Sequence, residues 1–129
     1  MKKSLPIGIS DFKKLRDRNC YYIDKTLMIK EVIDSKVEVI LLPRPRRFGK
    51  TLNLSMLKYF FEKSENDYSY LFKDLDINNK TECMEYQGKY PVISLTFKDI
   101  KDRDWSNSFQ KIKRLLIEEY ERHSYIIEC

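Results

Sequence analysis

Glycine, proline, cysteine and histidine are scarce in this chain. Its 129 residues include three glycines, four prolines, three cysteines and one histidine. So little glycine and proline excludes a long flexible linker, a collagen-like repeat or a low-complexity segment. The cysteines, Cys20, Cys83 and Cys129, are odd in number and far apart, with no Cys-x-x-Cys pair. With His123 as the single histidine, a zinc centre of the usual spacing is excluded. Free thiols fit a reducing, cytoplasmic setting, and Cys20 and Cys83 read as inert. Long apolar runs are missing as well. None approaches a membrane span, and the opening M-K-K-S-L-P-I-G-I-S lacks the apolar centre of a signal peptide. No membrane partner is expected.

What remains is the composition of a folded domain. The chain is 42% hydrophobic and 35% charged, enough apolar material for a core and too much for a disordered chain. Its length fits one domain. The net charge of +5 is mildly basic, with both signs interspersed over most of the chain.

Periodicity predicts the elements. Ser10 is placed to cap a short helix through D-F-K-K-L-R. Asp24 is placed to cap a second through K-T-L-M-I-K-E-V-I-D, with Leu27, Met28, Val32 and Ile33 on its apolar side. Val37–Leu42 is β-branched and mostly apolar, and reads as a buried parallel strand. Leu52–Glu62 reads as a helix. From Ser64 to Lys89 the chain is polar and poorly periodic, which predicts loops with a helical turn or two. Tyr90–Phe97 reads as a second strand, with Pro91 where no ladder donor is required. A last amphipathic helix opens at Trp105, carries Phe109, Ile112, Leu116 and Tyr120, and runs to about Ile126. The order predicts an α/β fold with a short parallel sheet and flanking helices, of the P-loop NTPase type.

The loop between the first strand and the third helix carries the chemistry. Pro43–Thr51 reads P-R-P-R-R-F-G-K-T. Gly49-Lys50-Thr51 completes the pattern G-x-x-x-x-G-K-[ST], but Arg44 stands where the first glycine belongs. A phosphate loop works by pointing successive backbone N–H groups into one concavity at a helix N-terminus. Those donors fall here on Arg47, Phe48, Gly49, Lys50, Thr51 and Leu52, none of which is proline. Lys50 is placed for the β- and γ-phosphates, and the Thr51 hydroxyl for Mg²⁺. No acid occurs from Val39 to Phe61, while Arg44, Arg46, Arg47, Lys50 and Lys58 are cationic. That charge suits ATP. The alternatives are nucleic-acid backbone contacted by Arg44, Arg46 and Arg47, or a plain solvated basic turn.

Four stretches extend the argument beyond the loop. L-P-I-G-I-S-D-F-K-K-L (5–15), Y-Y-I-D-K-T-L-M-I-K (21–30), R-P-R-R-F-G-K-T-L-N-L-S-M-L (44–57) and Y-P-V-I-S-L-T-F-K-D-I (90–100) together resemble the AAA-ATPase-like family. The likeness spans nearly the whole chain, residues 1–129, and the R-P-R-R-F-G-K-T form of the loop is that family's own. The resemblance implies the N-terminal part of an ATPase module that uses Mg-ATP. It also implies that longer members continue to an acidic Walker B strand, and often to a nuclease-like domain. This chain reaches Y-I-I-E-C before either, so it reads as a fragment or truncated member, with a non-functional remnant of a truncated gene as an alternative. The expectation is nucleotide binding with little or no hydrolysis, and self-association or association with the missing part. By analogy the Tyr22–Thr26 segment is placed near the adenine, with helix capping by Asp24 as the alternative.

Hydrolysis needs a carboxylate at a strand tip. Asp99 follows the second strand, but Lys98 intervenes, and a loop role is expected for it. Asp102 and Asp104 read as loop and cap residues beside Trp105, and His123 as a surface histidine.

Overall fold

The computed structural model describes residues 2–128, so the reading of Cys129 lies outside them. The chain divides into two units, Met1–Tyr90 and Pro91–Cys129.

The first unit carries four α-helices: α1 (Phe12–Asp17), α2 (Leu27–Ser35), α3 (Lys50–Phe61) and α4 (Thr81–Met84). Two 3₁₀ turns, Ser69–Phe72 and Asp76–Asn79, lie between α3 and α4. Asp11 caps α1, one residue later than the sequence suggested, and its Oδ2 accepts the Lys14 N–H at 2.9 Å. α2 begins after Thr26, whose own side chain makes no cap bond. Asp24, two residues upstream, accepts the Thr26 N–H at 2.9 Å instead.

Spacing by three and four places Phe12 and Leu15 of α1, and Met56 and Phe60 of α3, in the interior. The main cluster joins Phe12, Ile29, Met56 and Phe60 to Leu71, Phe72, Leu75, Ile77 and Cys83. Phe72 is central. Its ring stacks on Phe12 at 5.2 Å and meets Phe60 edge-on at 5.2 Å. Aromatic pairs in these geometries add to the burial that drives the collapse. Arg16 fixes the first 3₁₀ turn from outside, donating to the Leu71 and Lys73 carbonyls at 2.8 and 2.9 Å. The polar stretch from Ser64 to Lys89 therefore holds two 3₁₀ turns and the four-residue α4, close to the loops and helical turns expected, yet supplies five of the nine residues of this cluster.

The second unit is an extended segment followed by α5 (Trp105–Arg122) and a 3₁₀ turn at Ser124–Ile126. Asp104 caps α5, accepting the Ser106 N–H. Asp102 accepts the Arg103 N–H and pairs with Lys111 at 3.1 Å. Both match their expected loop and cap roles.

The α/β expectation is overturned. Among the described residues there is no sheet, only two isolated parallel bridges, Ser4 with Cys20 and Glu62 with Tyr90. A ladder needs a neighbouring chain about 4.8 Å away to take each N–H and C=O. No hydrogen bond involves any residue from Val37 to Phe48. Val39 and Leu41 are each 83% exposed, so the run is extended but neither paired nor buried. The second run uses its polar groups elsewhere. Tyr90 exchanges bonds with Phe61 and Lys63, the Val92 carbonyl accepts from Arg122 and His123, and the Ser94 N–H reaches Glu119. Apolar β-branched content favours an extended backbone in both runs, but only a partner strand makes a sheet.

Candidate functional site

The sequence-selected residues lie in one turn at the start of α3. Gly49 is the N-cap, at φ 77° and ψ 20°. This left-handed backbone suits a residue without a Cβ. Arg47 is also left-handed, at φ 66°. For a non-glycine residue that conformation costs about 1 kcal/mol or more. Two left-handed residues, separated by Phe48, turn the chain sharply from the extended run into the helix.

The first helical bond of α3 runs from the Asn53 N–H to the Gly49 carbonyl at 2.9 Å. The N–H groups of Lys50, Thr51 and Leu52 precede it and have no intrahelical acceptor. No side chain caps them, and the first turn holds no acid. The N–H groups of Arg47 and Phe48 are also unbonded. A 12-residue helix thus presents an uncapped positive end. Around it Arg44, Arg46, Arg47 and Lys50 are exposed, and none forms an ion pair, a hydrogen bond or a cation–π contact. Thr51 is exposed, whereas Leu52 turns its side chain onto the core. Phe48 is 59% exposed.

The remainder of α3 is held firmly. Asp11 Oδ1 accepts the Tyr59 hydroxyl at 2.9 Å and the Ser55 hydroxyl at 3.3 Å, and Ser55 Oγ accepts the Phe12 N–H at 3.0 Å. Burial, and then Asp11, raise the Tyr59 hydroxyl well above its ordinary pKa and keep it protonated. Met56 and Phe60 are fully buried. The polar end of α3 is thereby carried on a helix whose middle is fixed to α1.

Other selected residues do different work. Both Asp24 oxygens are engaged, Oδ1 by the Thr26 N–H and hydroxyl and Oδ2 by the Asp76 N–H. Tyr22 is half-buried, with its hydroxyl 3.4 Å from Met56 Sδ. Tyr22 and Thr26 thus face the interior while Ile23 and Lys25 are exposed, and Asp24 serves the start of α2. Cys20 and Cys83 are buried, and burial raises the Cys83 thiol, as inert thiols require. Asp99 lies in the second unit, in a shallow hollow of about 360 Å³ with Thr96, Lys111, Arg114 and Glu118. Among the described residues no three His, Cys, Asp or Glu side chains gather as a metal site. No helix there is long and apolar enough to cross a membrane.

His123 is not the surface residue expected. It is buried, with Nε2 2.8 Å from the Val92 carbonyl and Nδ1 3.1 Å from the Tyr125 hydroxyl. A carbonyl only accepts, so Nε2 carries the proton. Arg122 donates to the same carbonyl at 2.8 Å and to Glu119 at 2.7 Å. A lone histidine near a helix end carries no sequence signal for such a clamp.

The family model described as "Predicted AAA-ATPase" matches residues 6–128. The chain belongs to this family. Its likeness to the AAA-ATPase-like family, first visible in four short stretches, extends over nearly every described residue. A protein of Azotobacter chroococcum mcd 1, described as "Uncharacterized protein in vnfD 5'region", is 34% identical over 116 residues. The match takes in 89% of this chain and 21% of that protein, so the chain spans about a fifth of the relative's length. No solved structure matches.

Proposed function

We propose that this member of the AAA-ATPase-like family binds Mg-ATP by its phosphates at the N-terminus of α3. The observation that carries the reading is the uncapped turn at Arg47–Leu52, with its unbonded N–H groups and uncommitted cations. A polyphosphate supplies the acceptors those groups lack and the negative charge the helix end favours. The Arg47, Phe48, Gly49, Lys50, Thr51 and Leu52 amides line the phosphates. The Lys50 ammonium serves the β- and γ-phosphates, and the Thr51 hydroxyl is a ligand for Mg²⁺. Gly49 lets the backbone approach closely because it has no side chain, and its Cβ position faces open space. Nucleotide binding is the proposed activity.

The test is the melting temperature of the pure chain with and without Mg-ATP, beside Lys50→Ala. At a hundredfold excess over Kd, binding stabilises by about 2.7 kcal/mol. For a domain of this size that raises Tm by roughly ten degrees. A rise in the parent that disappears in Lys50→Ala supports the reading. A cooperative melt unmoved by Mg-ATP overturns it.

A further inference from the structure

One nucleotide leaves part of this loop unused. The amides of Arg47–Leu52, Lys50 and Thr51 suffice for Mg-bound phosphates, and magnesium already neutralises much of a triphosphate's charge. The side chains of Arg44, Arg46 and Arg47 add three more cations, all exposed and all without a partner. Phe48 adds an exposed ring that touches no other ring. We propose that Arg44, Arg46, Arg47 and Phe48 form a binding site for single-stranded nucleic acid. The arginines take backbone phosphates, and Phe48 stacks on an unpaired base.

The chemistry of the patch favours this partner. Guanidinium groups bind phosphate oxygens in pairs through a planar fork, which a lysine cannot do. Pro45 holds Arg44 out of helical backbone, and nothing from Val37 to Phe48 is tied to the rest of the chain by hydrogen bonds. The arginines are thus offered along an open stretch of main chain rather than folded onto the surface. Basic groups interleaved with an aromatic ring are the means by which proteins hold single strands without reading their sequence. A duplex buries its base faces and gives Phe48 nothing to stack on. An anionic membrane is also attracted by the charge. But the exposed apolar residues Val37, Val39, Ile40, Leu41 and Leu42 form a run that precedes the arginines, whereas a basic segment seated in a bilayer has its apolar face opposite its cations along one helix. The proposal goes beyond the nucleotide reading and uses different side chains.

The experiment is a titration of a labelled oligothymidylate with the full chain, followed by anisotropy, with and without saturating Mg-ATP. Three neutralised phosphates on a single strand predict about a twentyfold loss of affinity between about 50 and 200 mM salt. The expected result is binding with that salt dependence that persists in Mg-ATP. It falls at least tenfold in the triple variant Arg44→Ala/Arg46→Ala/Arg47→Ala. Phe48→Ala weakens it severalfold and Phe48→Tyr restores it. Lys50→Ala abolishes the Mg-ATP melting shift but leaves most of the oligonucleotide binding, so either reading can fail without the other. The proposal is overturned by no binding at low salt, or by a triple variant that binds as tightly as the parent. Complete displacement by Mg-ATP also overturns it. So does a duplex bound as tightly as the single strand with no effect of Phe48→Ala. Capture by phosphatidylserine vesicles in place of the oligonucleotide would assign the patch to membrane.

Discussion

Asp24 Oδ1 lies 2.6 Å from Thr26 Oγ1, and this bond passes on to a distant turn. Thr26 Oγ1 accepts the Ile77 N–H at 3.2 Å, while Asp24 Oδ2 accepts the Asp76 N–H at 2.7 Å. Thr26 is fully buried. Two short side chains therefore fix the start of α2 against the turn at Asp76–Asn79. Thr26→Val keeps the shape and leaves the buried Ile77 N–H without an acceptor. An unmet buried donor costs about 1–3 kcal/mol. Urea unfolding should show that loss, with Thr26→Ser closer to the parent.

The same bonds set a pH dependence. Burial, the largest single influence, raises the Asp24 pKa. The Thr26 hydroxyl and the Asp76 and Thr26 amides outweigh it and hold the carboxyl below its ordinary 3.8. A depressed folded pKa stabilises above the unfolded value, and that contribution is lost as pH falls through the folded one. Denaturant midpoints of the parent and Asp24→Asn should differ by a constant amount above pH 5. The gap should close as the pH drops below 3.8. A gap that persists undiminished through that range contradicts the assignment.

Gly49 is required for its backbone rather than for space. Its φ is 77°, and a Cβ built there meets nothing within 4 Å. Gly49→Ala should lower stability by about 1–2 kcal/mol, the cost of a left-handed L-residue. Gly49→Asn should cost less, because asparagine tolerates that region. Thermal melts without ligand provide the comparison.

His123 secures the extended segment of the second unit. His123→Phe retains a ring and removes both hydrogen bonds. Arg122 still donates to the Val92 carbonyl, so the loss is partial, about 1 kcal/mol. Amide exchange at Ser94, which bonds Glu119, should accelerate roughly fivefold. Exchange in α3 should stay unchanged.

The helices were legible because their signals are local. The start of α5 at Trp105, with its aspartate cap, follows from residues within one turn of each other. The sharp turn into α3 was legible for the same reason, since Gly49-Lys50-Thr51 are consecutive. The sheet was misjudged because apolar β-branched runs report an extended backbone, whereas pairing depends on a partner that no single run contains. Asp24 was misplaced as a cap because its real acceptor role includes Asp76, far along the chain. The core contribution of Leu71, Phe72, Leu75, Ile77 and Cys83 was hidden because 3₁₀ turns this short bury residues without a repeating stripe. His123 was misjudged for a further reason, since the carbonyl it serves lies 31 positions away.

The main core draws on both sides of the basic loop. Phe12 and Ile29 come from before it, and Met56, Phe60, Leu71 and Phe72 from after it. Trypsin reaches the bonds after Arg46 and Arg47, while Pro45 protects the bond after Arg44. A single cut there divides the polypeptide without dividing its interior. The nicked chain should run as two bands under denaturing conditions and as one particle on native gel filtration. The first unit is thus organised as two complementary pieces joined by an exposed strap, and its interior does not depend on the strap being whole.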